Sequence, residues 1–286
     1  MIATSTRPVR ACGGGHRYIV LLRTPCWFDS GRSSVHMRLR LSALLALSPL
    51  AVHAQATNWI ARHQDAMWVG ATVEEHLAKK TQLWFDGSWR RMNFGVDPQQ
   101  MLLRGGLLYT VAPGVRIGGG YAYVATAPYG ALPSASPLRE HRTWQDLRLS
   151  NKVGKVIVAH RFRLEQRWIS PLLRLTPGAE QTLGRANYQN RARYQGRATV
   201  NLPRLALGKR PLTGFVWDEL LMPVGGPQAA LSVGQNRASA GFGIPLDARQ
   251  RLEIAYMNLA NMFAARRANE INHTLWLSYH WTGTAR

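Results

Sequence analysis

The sequence predicts an all-β chain: an antiparallel transmembrane β-barrel of about twelve strands, or ten if residues 57–78 are not wall, behind a cleavable signal peptide. Three observations carry this. From Trp68 onward, apolar and polar residues alternate at period two, with almost no helical periodicity. The alternating segments run for a dozen residues or more, against about 5–6 in a typical strand of a soluble protein. Short and long connections also alternate, the rhythm of a barrel with tight turns at one rim and larger loops at the other.

The N-terminal region is read first. Residues 37–56, MRLRLSALLALSPLAVHAQA, begin with a basic stretch at Arg38 and Arg40 and continue into an apolar stretch at 41–52. Val52-His53-Ala54 or Ala54-Gln55-Ala56 then supplies small residues for cleavage. That order of zones is a secretory signal peptide; the bland alternative is a buried helix at 41–52. A signal stands at an N-terminus, so residues 1–36 read as a mis-assigned, disordered extension, and the barrel occupies 57–286. Both cysteines, Cys12 and Cys26, fall in that extension, so disulfides do not stabilise the exported chain.

The chain of 286 residues carries a formal charge of +21. Of its 36 basic residues 31 are Arg, which points to sites where a planar, permanently charged fork meets carboxylates or other oxyanions. No apolar run approaches the roughly 18 residues of a spanning helix, which excludes a helical membrane protein.

Taken in order, the strands are expected at 67–78, 81–92, 99–111, 115–126, 138–151, 155–170, 185–201, 211–222, 234–245, 249–259 and 270–282. Connections at 78–80, 112–114, 151–155 and 246–248 are short. Those at 92–98, 127–137, 170–184, 223–233 and 260–269 are longer, and 203–210 is an intermediate case. Single-chain bacterial barrels have an even strand count, so parity asks for one more ascending strand, and only 57–64 is available. Trp68, Trp89, Trp168, Trp281, Tyr109, Tyr121 and Tyr123 are expected in an interfacial aromatic girdle.

Period-two alternation sorts the side chains onto two faces. In RFRLEQRW (161–168), Arg161, Arg163, Glu165 and Arg167 oppose Phe162, Leu164, Gln166 and Trp168. The strand lengths and the mixed signs on the polar face place that face inward, toward an aqueous lumen, and the apolar face toward lipid. The lumen candidates are Arg104, Arg142, Arg148, Arg161, Arg163, Glu165, Arg167, Arg191, Arg193, Arg197 and Arg237, with Arg90, Arg116 and Arg251 on the same pattern. Glu74, Glu140, Asp146, Glu165 and Glu253 are available to neutralise part of that charge. Phe162, Trp168, Tyr188, Tyr194, Tyr279 and Trp281 are the lipid-facing or girdle candidates. A soluble lipocalin-like carrier would show the reverse sidedness.

The runs EHRTWQDLRL (140–149), RFRLEQRW (161–168), RARYQGR (191–197), WDEL (217–220) with QNRASAGFG (235–243), and LEIAYMN (252–258) resemble the bacterial domain of unknown function family 2490. The likeness spans about Trp59 to Trp281. It implies an outer-membrane β-barrel of a Gram-negative bacterium, contacting outer-membrane lipids and the barrel assembly machinery. The family has no assigned activity, so no catalytic residue is carried over.

The Arg face has two readings, an internal Arg–carboxylate lattice and a site or path for small anionic solutes, and the two overlap. GGGY (118–121) continues as strand, so its glycines relieve crowding by large neighbours rather than cradle phosphate. No His or Cys spacing suits a metal, and no cofactor or nucleic-acid module is expected. The chain is expected to be non-enzymatic. The alternatives are an outer-membrane lipid hydrolase, using His160 with Ser170 or His273 with Ser278, and a structural barrel whose loops at 127–137, 170–184 and 223–233 meet partners.

Overall fold

The computed structural model describes residues 60–173, 182–225, 233–263 and 267–284. The extension at 1–36 with its two cysteines, the signal at 37–56 and residues 57–59 lie outside the described residues. The described chain is all β. Its strands are β1 (Ile60–His76), β2 (Thr81–Met92), β3 (Asp97–Ala112), β4 (Val115–Thr126), β5 (Leu138–Val153), β6 (Val156–Leu173), β7 (Thr182–Leu183), β8 (Asn187–Leu207), β9 (Arg210–Val224), β10 (Gln235–Pro245), β11 (Gln250–Phe263) and β12 (Ala268–Thr282). Eleven of them close into a ring, in the order β5-β4-β3-β2-β1-β12-β11-β10-β9-β8-β6 and back to β5. The two-residue β7 is the outer, twelfth strand and pairs only with the end of β6.

Parity misleads at one place. Residues 60–64 are not a separate ascending strand; they are the start of β1. Closure comes instead from a parallel pairing of β1 with β12, running from Ile60↔Ala268 to Glu74↔Thr282. The other ten joints of the ring are antiparallel. A parallel joint lets an odd number of strands close, which the even-number rule does not anticipate.

The alternation of turns and loops holds. One rim carries the tight connections, among them Pro113-Gly114, Gly154-Lys155 and Gly208-Lys209. Gly114, Gly154 and Gly208 take φ of 75°, 60° and 61°, the left-handed region that a Cβ disfavours. The intermediate connection at 203–210 is also a tight turn, because β8 runs on to Leu207 past a register shift between Leu202 and Ala206. In the β10–β11 turn, Asp247 Oδ1 accepts the Arg249 and Gln250 backbone N–H groups at 2.6 and 2.7 Å. The Arg249 N–H above all holds that carboxyl below its ordinary value.

The two faces of the wall differ in kind. Outward, β2 to β4 expose Phe85, Trp89, Met101, Leu103, Leu107, Tyr109 and Ile117, and β6 exposes Phe162, Leu164 and Trp168. Inward lie two apolar clusters. One joins Trp84, Leu102, Leu108, Ala122, Val124 and Trp144; the other joins Ala66, Trp68, Met92, Phe215, Trp217, Ala255, Met257 and Leu259. Trp68 is therefore inside the barrel, 5% exposed, and not in an outer girdle. It lies on the same inward parity of β1 as Ala66 and Glu74.

The glycine-rich pair β3–β4 makes room for an inward tryptophan. A Cβ on Gly120 would lie 2.6 Å from the Trp144 ring, and one on Gly106 would lie 2.5 Å from it. Gly120→Val is therefore expected to destabilise the folded barrel by about 2–3 kcal/mol through overpacking. The urea midpoint of the refolded protein measures this, and the double variant Gly120→Val/Trp144→Leu should recover only part of the loss, because the added Cβ also collides with the Gly105 carbonyl oxygen.

Candidate functional site: a buried guanidinium–carboxylate network

Alternation on β5, β6 and β8 delivers charge to the interior at repeated second positions, and β9 adds Glu219. Glu165 is fully buried and receives Arg193 at 2.8 Å, Arg191 at 2.5 Å and Arg142 at 3.4 Å. Glu219 receives Arg193 at 2.7 Å, Arg161 at 2.8 Å and Arg237 at 3.3 Å. Asp146 takes the Arg163 fork through Nε at 2.5 Å and Nη2 at 2.7 Å, and also meets Arg148 at 2.9 Å. Glu140 takes Arg167 at 2.6 Å and Arg142 at 2.8 Å. Glu253 holds Arg197 at 2.8 Å and Arg251 at 3.0 Å. Asp86 takes both Nε and Nη2 of Arg104.

Aromatic rings carry some of these cations. Arg163 lies 4.4 Å from the Trp144 centroid, and Arg197 lies 4.0 Å from that of Phe215. Such stacking suits a guanidinium, whose faces are weakly hydrated while its edge donates.

Several pairs cross the bore instead of joining neighbouring strands. Arg148 of β5 and Arg116 of β4 both reach Glu74 of β1, at 3.4 and 3.0 Å. Arg197 of β8 reaches Glu253 of β11. At the long-loop rim, the β4–β5 loop turns inward at Tyr129 and Gly130. Tyr129 packs against the Trp68–Trp217 cluster, and Gly130, at φ 82°, lies so close to the Glu270 carboxylate that a Cβ would collide with it.

Charge does not balance. Among the described residues, twelve arginines share seven carboxylates in ion pairs. Buried Arg90 adds a guanidinium, and buried Glu270, bonded to Asn272 at 3.0 Å, adds a carboxylate. The surplus stays at five positive charges. A cavity of about 400 Å³ runs through this network, and Arg90, Arg193, Arg237, Trp217 and Tyr129 are among its walls.

The predicted lumen residues Arg104, Arg142, Arg148, Arg161, Arg163, Glu165, Arg167, Arg191, Arg193, Arg197 and Arg237 all lie on the inward face, and their ion pairs form separate clusters around Glu140, Glu165 and Glu219, around Asp146 and Glu74, around Asp86 and around Glu253. Phe162, Trp168 and Tyr188 are exposed on the outer face; Tyr194, Tyr279 and Trp281 share that face but are partly covered. Sequence reasoning missed Asp86, Glu219 and Glu270 as acidic partners. Glu219 alternates with Phe215, Trp217 and Leu221, which reads as an apolar strand face, so only the neighbouring Arg faces of β8 and β10 hinted at it.

Neither imagined His–Ser pair assembles. His160 bonds Tyr194 Oη at 3.0 Å, while Ser170 is ten residues further along the same strand, roughly 33 Å away at the rise of a β-strand. His273 faces outward, bonded to Tyr256 Oη at 2.7 Å, whereas buried Ser278 has the inward parity of β12.

The family model for a protein of unknown function, DUF2490, matches residues 65–270 of this chain. No curated protein matches it.

Proposed function

Since the chain belongs to the DUF2490 family, whose members carry no assigned activity, we propose its function from its own wall and interior: a non-enzymatic outer-membrane β-barrel that is closed to bulk flow and holds small anions inside. The observation that carries this is the sidedness of charge. Guanidiniums and carboxylates are buried within the ring, and large apolar side chains stand exposed around it. A soluble carrier has the opposite arrangement, because exposed apolar belts of this extent are stable only against lipid or a partner. The ten wall strands other than β10 have 12–21 residues and β10 has 11, which matches or exceeds the roughly 9–11 residues of a tilted span.

Binding is favoured over conduction because ion pairs bridge the bore and Tyr129 sits in it. The surplus of positive charge needs anions or water, since unpaired buried guanidiniums are costly. The test has two parts. After expression in a Gram-negative host, the chain should fractionate with the outer membrane and require detergent for extraction; recovery as a soluble periplasmic protein would sink the proposal. In planar bilayers the purified barrel should show no steady ohmic steps. Anion-selective steps would replace the binder by a channel. Removing residues 128–136 with a short Gly-Ser bridge should create at most small steps, because it withdraws Tyr129 from the bore but leaves the bridging ion pairs in place.

A further inference from the structure

We propose that Arg90, Arg237 and the indole N–H of Trp217 form one discrete site for a compact tetrahedral oxyanion of the phosphate or sulfate type. This rests on the reading of the barrel as an anion binder and adds the place and the ligand class.

Arg90 differs from the arginines of the ion-pair network. It is buried at 9% exposure, yet its acceptors among the described residues are neutral: Nε donates to Ser88 Oγ at 3.0 Å and Nη1 to Gln100 Oε1 at 2.6 Å. Its guanidinium lies 3.8 Å from the Trp68 ring centroid. Arg237 lies over the same ring at 5.3 Å. Two cations thus share one aromatic platform. Arg237 meets Glu219 only at 3.3 Å, its Nη2 donates to the neutral Gln235 Oε1 at 2.6 Å, and its buried Nε–H has no acceptor among the described residues.

Trp217 supplies the third donor. It is 5% exposed, its Nε1–H has no acceptor among the described residues, and it belongs to the same apolar cluster as Trp68. All three residues line the cavity of about 400 Å³. The donors come from three strands, β2, β9 and β10. A carboxylate holds its two oxygens in one plane, whereas a tetrahedral oxyanion offers acceptors in several directions to two forks and an indole. Its charge also relieves the repulsion between two guanidiniums on one ring.

The test uses full-length protein refolded in a zwitterionic detergent and titrated calorimetrically with inorganic phosphate at low ionic strength. Wild type should bind one phosphate per chain. Arg90→Gln and Arg237→Gln should each weaken binding about tenfold or more, the scale of a lost charge-assisted hydrogen bond. Both should fold, since Arg90 has no carboxylate partner among the described residues and Glu219 keeps Arg161 and Arg193; the heat-modifiable shift of a folded barrel on a gel verifies this. Trp217→Phe should weaken binding by a smaller factor. Lys209→Gln, in a tight turn, removes one positive charge elsewhere and should leave affinity within twofold.

Phosphate bound equally by wild type and both arginine variants would overturn the site while leaving an anion-binding barrel. Binding of chloride or acetate with no response to phosphate or sulfate would overturn the ligand class. If no anion of any kind bound the folded wild type, the proposed function would fall with the site.

Discussion

Glu165→Gln is expected to lower the stability of the folded barrel by about 3–5 kcal/mol, the cost of removing one partner from a fully buried ionic cluster. The urea midpoint of the refolded protein should fall by roughly 1–3 M. The neutral amide keeps the shape but abandons Arg142, Arg191 and Arg193, which converge on that carboxylate. Adding Arg191→Gln should restore part of the loss, and a coupling of about 0.5–3 kcal/mol in the double-mutant cycle would measure how far the two act as a unit. Arg90→Gln, which leaves no acid unpaired, should move the midpoint little. A Glu165→Gln barrel as stable as wild type would mean that the network is solvated and supports nothing.

Leu164→Arg should cost about 2–4 kcal/mol when the protein is refolded into bilayers. Leu164 is near the middle of β6 and 42% exposed on the outer face. Val153, 46% exposed at the tight-turn end of β5, gives the comparison: Val153→Arg should cost about 0–1 kcal/mol, because a guanidinium near the rim reaches the headgroups. Equal costs at the two depths would argue that no hydrocarbon slab surrounds this wall.

Much of the wall was legible because alternation is a local signal. RFRLEQRW sorts its own side chains, and Arg163 and Phe162 face as their parity demands. Each of the eleven wall strands falls on an expected segment, with boundaries shifted by a few residues. The failures are non-local. Whether 57–64 and 67–78 are one strand depends on β12, more than two hundred residues away. Trp68 has the composition of a girdle residue, and only the parity it shares with Glu74 turns it inward. The candidate site shows the same division. Its arginines were readable strand by strand, but the acceptors Glu219 and Asp86 are assigned by facing strands. Tyr129 came from a loop whose inward turn no periodicity announces.

The one parallel joint has a kinetic meaning. Every antiparallel hairpin here can zip from its own turn, at small cost in chain freedom. Pairing Ile60 with Ala268 instead closes the longest circuit in the chain, with no hairpin to guide it and slanted hydrogen bonds that are slightly weaker. Assembly should therefore proceed as a growing curved sheet that stays open until the last moment. Its amide protons at that hem should be protected latest during assembly, and should exchange earliest from the finished ring.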